Sequence, residues 1–267
     1  MSLHDPQIAG ASLEFARELA REAGKAALPY FRAGVAVDHK PGKGDFDPVT
    51  KADREAEQVM RAMIAREYPD HNIKGEEYGF EDKGSAFTWV LDPVDGTRSF
   101  IMGVPVWGTI VGLTFQGKAI AGVMSQPYTG EIFSGNGKVS RLTGPQGGRD
   151  LHVRPCRSLA DAALATTDIR LFANASDARA YARLEEKVLL SRYGGDCYIY
   201  CMLAAGQIDL VVETGLADYD IAGLIPIVEG AGGIITNWEG GNAAGGGQVV
   251  AAGDADMHKQ ALAILAG

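Results

Sequence analysis

Across residues 11–31, apolar side chains return every three or four positions, at Leu13, Ala16, Leu19, Ala20 and Ala23. That spacing lines one face of a helix and predicts an amphipathic helix here, with Pro29 near its end. The same period resumes after Thr50, where Ala52, Ala56, Val59, Met60, Met63 and Ile64 form a second apolar stripe. Thr50 followed three residues later by Asp53 predicts a capping box at the start of that helix. An acid at Asp53 also suits the positive end of the helix dipole. Between the two helices, "KPGKGDFDP" (residues 40–48) reads as a Gly/Pro loop.

Beyond the second helix the pattern shortens to runs suited to strands. "TWVL" (88–91), "TIVGLTF" (109–115) and "AIAGVMSQP" (119–127) are rich in β-branched and aromatic residues. The last two flank Gln116, Gly117 and Lys118, which predicts a hairpin. The texture changes after Gly148. "AALATT" (162–167) reads as a strand, "SDARAYARLEEKVLL" (176–190) and "CYIYCMLAAG" (197–206) as helices, and "IDLVVE" (208–213) as a strand. "DIAGLIPIVEGAG" (220–232) reads as a helix in which Pro226 forces a kink or a late start. "GIITNW" (233–238), "QVVAAG" (248–253) and a last helix close the chain, with "GGNAAGGG" (240–247) as a flexible turn. Strands alternating with helices predict a layered α/β architecture. There is no internal repeat.

Composition narrows the function. With 267 residues, 46% of them hydrophobic, the chain can bury a substantial core as one large domain or two intimately packed lobes. Its net charge of −9 argues against a nucleic-acid partner, because a phosphate polymer attracts basic faces. A small phosphate remains compatible where bound cations reverse the local sign. The three cysteines, Cys156, Cys197 and Cys201, are odd in number, have no paired metal-type spacing and read as buried small residues of a reducing compartment, with Cys197 and Cys201, one helical turn apart, able to share a core face. No basic-apolar-small signal pattern opens the chain, and no apolar run reaches the ~18 residues of a membrane span. The expectation is a soluble cytoplasmic protein with no membrane partner.

Acids gather where the pattern breaks. Asp47 precedes the second helix in "DFDPVTKAD"; Glu76 and Glu77 stand in "IKGEEYG"; Asp92 and Asp95 end the apolar "TWVL"; Asp220 opens a helix in "DYDIAG". Taken singly, most of these acids fit caps or surface positions. Two like charges at the mouth of a buried strand do not, because burial and repulsion both penalise them. A compensating cation removes that penalty, and carboxylate oxygens suit a hard ion such as Mg²⁺. The five histidines are scattered, so a zinc site is poorly supported. A calcium loop counted from Asp92 fails, with Val94 at its third position and Gly103 at its twelfth. An aspartyl-phosphate pair needs one intervening residue where this chain has two. "GKAAL" and "GKVSR" do not complete a P-loop.

"DPVTKAD", "GEE", "LDPVDGTRSF" and "YDIAGLIPIVEGAGG" occur in order across nearly the whole chain. Together they resemble the inositol monophosphatase family of Mg²⁺-dependent, Li⁺-sensitive phosphatases. The resemblance implies a layered α-β-α-β-α sandwich, a homodimer, and two to three Mg²⁺ ions per site. It implies an N-terminal lobe (1–150) carrying most metal ligands and a C-terminal lobe (151–267) completing one catalytic unit with Asp220. Glu76, Asp92, Asp95 and Asp220 match the family's ligands, and Val94 matches one that ligates through its carbonyl. Asp47 and Thr97 match the pair that orients and helps activate a metal-bound water, with Glu76 beside them in the catalytic set. Gly96 and Thr97 match the backbone amides that hold the phosphate. Glu77 sits next to a ligand, and Arg98 and Ser99 vary between subfamilies, so the resemblance assigns them no role. In this chemistry one metal acidifies a water, a second stabilises the leaving alkoxide, and no protein nucleophile is needed.

Within that family, "DGTRSF" and "RYGGDCYIYCMLAAGQIDLVVETG" are similar to the bacterial histidinol-phosphate phosphatases. Tyr219 stands where many inositol phosphatases carry Trp, and Asp196 where many carry a small neutral residue. Glu213 matches a substrate-contacting position. Two acids beyond the metals suit the ammonium and imidazole of histidinol phosphate, in histidine biosynthesis, through charge-assisted hydrogen bonds; the competing role for Asp196 is a cap on the helix that follows. Inositol-1-phosphate or a broad range of sugar phosphates is the alternative substrate. A divalent-cation-binding regulatory protein is the non-enzymatic alternative, opposed by the retention of Asp47, Thr97 and all the ligand side chains.

Overall fold

A computed structural model of the chain describes residues 6–34, 37–39, 48–172 and 174–267. Asp47 and the rest of its Gly/Pro loop up to Pro48 lie outside the described residues. The first apolar stripe forms α1 (Pro6–Ala27), which tightens into a 3₁₀ turn at Leu28–Tyr30 around Pro29. Short strands β1 (Val37–His39) and β2 (Pro48–Thr50) pair antiparallel and lead into α2 (Lys51–Glu67). The capping box forms. The Thr50 hydroxyl accepts from Ala52 N–H at 3.1 Å, and the Asp53 carboxylate accepts from Thr50 N–H at 2.9 Å. On α2, Ala52, Ala56, Met60 and Ile64 are buried, and so are two acids on the same face, Asp53 and Glu57.

The next elements are β3 (Asn72–Gly75), β4 (Gly79–Glu81), β5 (Phe87–Asp95), the short helix α3 (Thr97–Met102), β6 (Gly108–Phe115), β7 (Lys118–Gln126), β8 (Glu131–Gly135), β9 (Ser140–Gly144) and β10 (Gly147–Asp150). Their strands form one eight-stranded sheet in the order β10-β9-β8-β7-β6-β5-β3-β4. All of its neighbours run antiparallel except β3 and β5. The hairpin between β6 and β7 turns on Gln116 and Gly117, at φ 48° and 77°. This is the doubly left-handed turn that matches strand twist.

The C-terminal elements are β11 (Ala163–Thr166), α4 (Ala175–Glu185), β12 (Leu190–Tyr193), α5 (Tyr198–Ala204), β13 (Leu210–Leu216), α6 (Asp218–Ile221), α7 (Ile225–Gly230), β14 (Ile234–Asn237), β15 (Gly247–Ala252) and α8 (Ala255–Leu265). Their strands make a five-stranded sheet in the order β12-β11-β13-β15-β14. Along β13, Leu210 and Val212 face one core while Val211 faces another, the period-two alternation of a sheet covered on both sides.

The layers follow from these alternations. α1 and α2 cover one face of the large sheet, burying Leu19, Ala23, Ile64, Trp89, Leu91 and Val111 together. α5, α6 and α7 fill the space between the sheets, where Ile110, Met124 and Phe133 of the large sheet meet Val211, Ile235 and Val249 of the small one. α4 and α8 cover the outer face of the small sheet. The result is the α-β-α-β-α sandwich that the resemblance implied.

The structure also corrects several sequence readings. α4 stops at Glu185, and "KVLL" instead turns and enters β12. The apolar run after Asp220 is two helices, and Pro226 sits in the first turn of the second, so the late start is the outcome. "GGNAAGGG" is not a loose turn, because Ala243 and Ala244 are buried in the central core. β8, β9, β10 and β12 had no prior sequence signal.

Between α6 and α7 the backbone lies directly on the large sheet. A Cβ on Gly122 would come 1.8 Å from Gly223 O, and one on Gly112 would come 2.9 Å from Gly223 N. Glycine on both sides lets the middle layer sink onto the strands, and this brings Asp220 down to the end of β5.

Candidate active site

Asp92 and Asp95 lie inside β5 rather than after it. Three residues apart in a regular strand, they would face opposite sides of the sheet. A bulge removes that problem. Asp92 pairs with Ile110 and Asp95 with Gly108, so three steps on β5 match two on β6. The extra residue, supplied at Pro93–Val94, turns both carboxylates the same way. The Thr109 hydroxyl donates to Pro93 O at 2.8 Å, and Val94 N–H donates to Asp92 Oδ1 at 3.1 Å, which fixes the bulge.

Asp220 arrives from the other side as the third residue of α6, where its carboxylate accepts from Ala217 N–H at 2.6 Å. One oxygen from each of Asp92, Asp95 and Asp220 lies within 4.8 Å of the others. Three carboxylates this close, with Asp92 only 1% exposed, are electrostatically unfavourable alone. Burial pushes the Asp92 carboxyl well above its usual range, and the charges of Glu76, Asp95 and Asp220 push it further. Asp95 is also raised, by burial and by the charges of Asp196 and Asp220, although Cys197 N–H donates to its Oδ2 at 2.7 Å. Burial pushes Asp220 up to about 6. Hard oxygen donors at this spacing, each resisting ionisation, fit a divalent cation.

The remaining predicted residues fall around this triad. Glu76 follows the end of β3 and lines the same cavity, and its charge acts on Asp92, but it stands outside the 4.8 Å set. The Thr97 hydroxyl lies 3.1 Å from Val94 O and 3.4 Å from Asp53 Oδ1. Asp53 thus does more than cap α2, which its sequence position alone did not indicate. The available signal was its place on the buried stripe of α2, where an acid needs a reason. Its expected counterpart Asp47 is outside the described residues.

The cavity has a volume of about 460 Å³, is lined by Asp95 and Asp220 of the triad, and continues to Gly96, Arg98, Ser99, Asp196, Tyr200, Glu213 and Tyr219. Gly96 takes φ 78°, and a Cβ there would come 2.8 Å from Asp196 Cγ. Asp196 itself has a left-handed backbone, φ 45°. Its carboxylate accepts from the Ser99 hydroxyl at 2.6 Å, and α5 begins at Tyr198 with Cys197 as its N-cap residue and no side-chain cap. The capping role for Asp196 is therefore set aside. Burial raises its carboxyl, opposed by Ser99 and by the positive charge of Arg98. Glu213 is 2% exposed and accepts from Thr167 N–H and the Tyr200 hydroxyl, both at 2.8 Å. Thr167 and Tyr200 gave no sign of this role in the sequence. Cys197 and Cys201 are both buried, as expected, whereas Cys156 is only half-buried and corrects that expectation. No helix among the described residues is long and apolar enough to cross a membrane.

Comparison with known proteins places the chain in a family. Residues 11–266 match the inositol monophosphatase family. The bifunctional phosphatase IMPL2, chloroplastic, of Arabidopsis thaliana is 42% identical, over 92% of this chain and 72% of its own. The histidinol-phosphatase of Mycobacterium tuberculosis is 31% identical over 99% of both chains. Among solved structures, an inositol monophosphatase from Zymomonas mobilis superposes with a TM-score of 0.85 at 39% identity, covering 97% of this chain and 98% of that one. With the acidic triad, the sandwich and the length of the match all in accord, the chain belongs to the inositol monophosphatase family of phosphatases.

Proposed function

We propose that this protein is a Mg²⁺-dependent phosphomonoesterase whose preferred substrate is histidinol phosphate, released as histidinol and phosphate. The observation that carries the hydrolytic reading is the triad of Asp92, Asp95 and Asp220, one buried and two half-buried, mutually repelling and with one oxygen of each within 4.8 Å of the others. Glu76 and the Val94 carbonyl join them in holding two to three cations. The bound ions supply a Lewis acid and an acidified water.

The protein's own groups position the reaction. The Thr97 hydroxyl keeps its proton toward Val94 O or Asp53 Oδ1, which leaves a lone pair to orient a water in the cavity. Asp47 is proposed as the second carboxylate on that water. The amides of Gly96 and Thr97 receive the phosphate oxygens. The alcohol portion of the substrate then lies against Asp196 and Glu213. Both Glu213 oxygens already accept a hydrogen bond, so Asp196 is the better partner for an ammonium.

A relative named as a histidinol-phosphatase supports the substrate choice. One observation favours the alternative, inositol-1-phosphate or a wider set of sugar phosphates. Ser99 and Arg98 already satisfy part of the Asp196 charge, which weakens its pull on a cationic alcohol. A panel of phosphate esters ranked by kcat/KM decides between them. Histidinol phosphate is expected to lead, and Asp196→Asn to lower its kcat/KM by about one to two decades while sparing inositol-1-phosphate, the worth of one charge-assisted hydrogen bond. An equal loss on both esters makes Asp196 structural, and a wild-type preference for inositol-1-phosphate selects the alternative. EDTA is expected to abolish turnover, Mg²⁺ to restore it, and Li⁺ to inhibit it. Full turnover in excess EDTA would exclude the metal reading. A cytoplasmic homodimer completes the proposal, with the assembly checked by sedimentation.

A further inference from the structure

Glu57 lies in the middle of α2 and is fully buried, at 0% exposure. Its carboxylate accepts from three donors. Glu77 N–H reaches Oε2 at 2.7 Å, Tyr78 N–H reaches Oε1 at 3.2 Å, and Arg61 Nε reaches Oε1 at 2.7 Å. The carboxylate is packed so closely on the chain opposite that a Cβ on Gly75 would come 2.0 Å from Oε1. The same helix grips the same turn twice more. Gln58 Nε2 donates to the Tyr78 hydroxyl at 2.6 Å. The Arg61 guanidinium donates to Gly79 O and sits 6.0 Å from the Tyr78 ring centre.

Apart from the Arg61–Glu57 pair within α2, these contacts land on residues 75–79, the turn that joins β3 to β4. Glu76 is in that turn. Its N–H donates to Leu91 O at 3.2 Å, which continues the parallel pairing of Gly75 with Leu91 and sets Glu76 beside Asp92. A carboxylate aimed at a cation from a short turn keeps its direction only if the backbone on both sides is fixed. Leu91 O fixes one side; the other depends on the buried carboxylate of α2.

We infer that Glu57 is a positioning residue, whose buried carboxylate binds the amides of Glu77 and Tyr78 and thereby holds Glu76 at the cation site. The inference rests on the proposed role of Glu76 as a ligand. A carboxylate suits this task because it only accepts, and all three of its partners only donate. In Glu57→Gln one oxygen becomes an NH₂ group and faces an N–H, so at least one of the three bonds is lost and a buried donor is stranded. Groups that orient a metal ligand typically change metal affinity 10–100-fold when altered, without touching the ion.

The test is direct calorimetric titration of Mn²⁺ into the full-length protein, with Glu57→Gln, Glu76→Gln and the double variant beside the wild type. Glu57→Gln is expected to weaken ion binding by about tenfold or more. In the Glu76→Gln background the same change is expected to do almost nothing, because the group it steers is gone. Hydrogen exchange at the amides of Glu77 and Tyr78 is expected to speed up in Glu57→Gln. Arg61→Gln, a milder change at the rim of the same cluster, is expected to weaken binding in the same direction and serves if Glu57→Gln does not fold. An equal loss from Glu57→Gln in both backgrounds, or ion binding unchanged while the amides exchange faster, overturns the inference. If Glu76→Gln alone leaves ion binding intact, the ligand reading of Glu76 fails first, and the inference fails with it.

Discussion

At the scale of single residues, the site is defined by carboxylates held where the isolated protein disfavours their charge. Asp220 shows the sign of the effect. Its folded-state pKa is raised to about 6, above the ordinary carboxylate range, mainly by burial. Below the ordinary range, folded and unfolded chains are both protonated and Asp220 makes no difference to stability. As pH rises toward 6, the unfolded chain gives up this proton before the folded one does. The metal-free protein therefore loses stability through that window. Cation binding runs the other way, because the ion takes the deprotonated form, and its affinity is expected to rise with pH through the window in which Asp220 ionises and to keep rising while the raised carboxyls of Asp92 and Asp95 give up their protons. Asp220→Asn separates the two effects. It is expected to lower kcat by about 10² or more. It is also expected to stabilise the metal-free fold at neutral pH by on the order of 1–3 kcal/mol, because a repelling charge is removed. Urea titration without metal, paired with turnover in Mg²⁺, checks both. A variant that is inactive and also less stable would place Asp220 in the fold rather than the site. Much of this was legible in the sequence, since Asp92 and Asp95 end one apolar run and Asp220 opens another. Asp53 and Glu57 were harder to see. Only their positions on the apolar stripe of α2, where Ala52, Ala56 and Met60 also lie, marked them as buried acids.

At the scale of elements, legibility followed the strength of the local period. α1, α2 and the β6–β7 hairpin were visible because a long stripe or an explicit turn specifies each of them. β8, β9 and β10 were not, because "EIFSG", "SRLTG" and "GGRD" are short and mix glycine with charge. Their strand state comes from pairing with neighbours, not from their own pattern. The bulge in β5 was hidden for a related reason: register belongs to two strands, and one sequence segment shows only its own half. The approach of α6 to the sheet is equally non-local. Gly122→Ala is expected to test it, since the new methyl group would meet only the backbone of Gly223 and no flexible side chain could yield. Overpacking of this kind costs about 1–3 kcal/mol. Here it should also lift the segment that carries Asp220, so cation affinity falls together with stability. Gly117→Ala is the control. It has open space around its Cβ but sits at φ 77°, so it is expected to cost about 1–2 kcal/mol in backbone strain and leave cation affinity unchanged. Equal cation affinity in the two variants would show that the glycine contact does not position Asp220.

At the scale of the whole molecule, the family resemblance carried by the ordered motifs implied the sandwich, whereas the alternation of strands and helices gave only a layered α/β class. The middle layer explains why the two halves of the chain belong together. Ile199, Leu203, Leu224 and Ile227 pack at once against Ile110, Met124 and Phe133 of the large sheet and Val211, Ile235 and Val249 of the small one. Neither sheet can lose this layer without exposing its own inner face, so thermal unfolding is expected to be a single cooperative transition by calorimetry. Cations should reinforce that coupling at one point. Asp92 and Asp95 end a strand of the large sheet, while Asp220 belongs to the middle layer, so an ion held by all three ties the layers together. A ligand that binds only the folded state stabilises it by about 2.7 kcal/mol at one hundred times its dissociation constant. Saturating Mg²⁺ is accordingly expected to raise the midpoint by several degrees and keep one transition, and Asp220→Asn to abolish most of that shift. Two transitions, with only the first moved by Mg²⁺, would mean that the lobes unfold separately and that the shared core does not couple them. One transition that Mg²⁺ moves equally in wild type and Asp220→Asn would place the stabilising ion outside the triad.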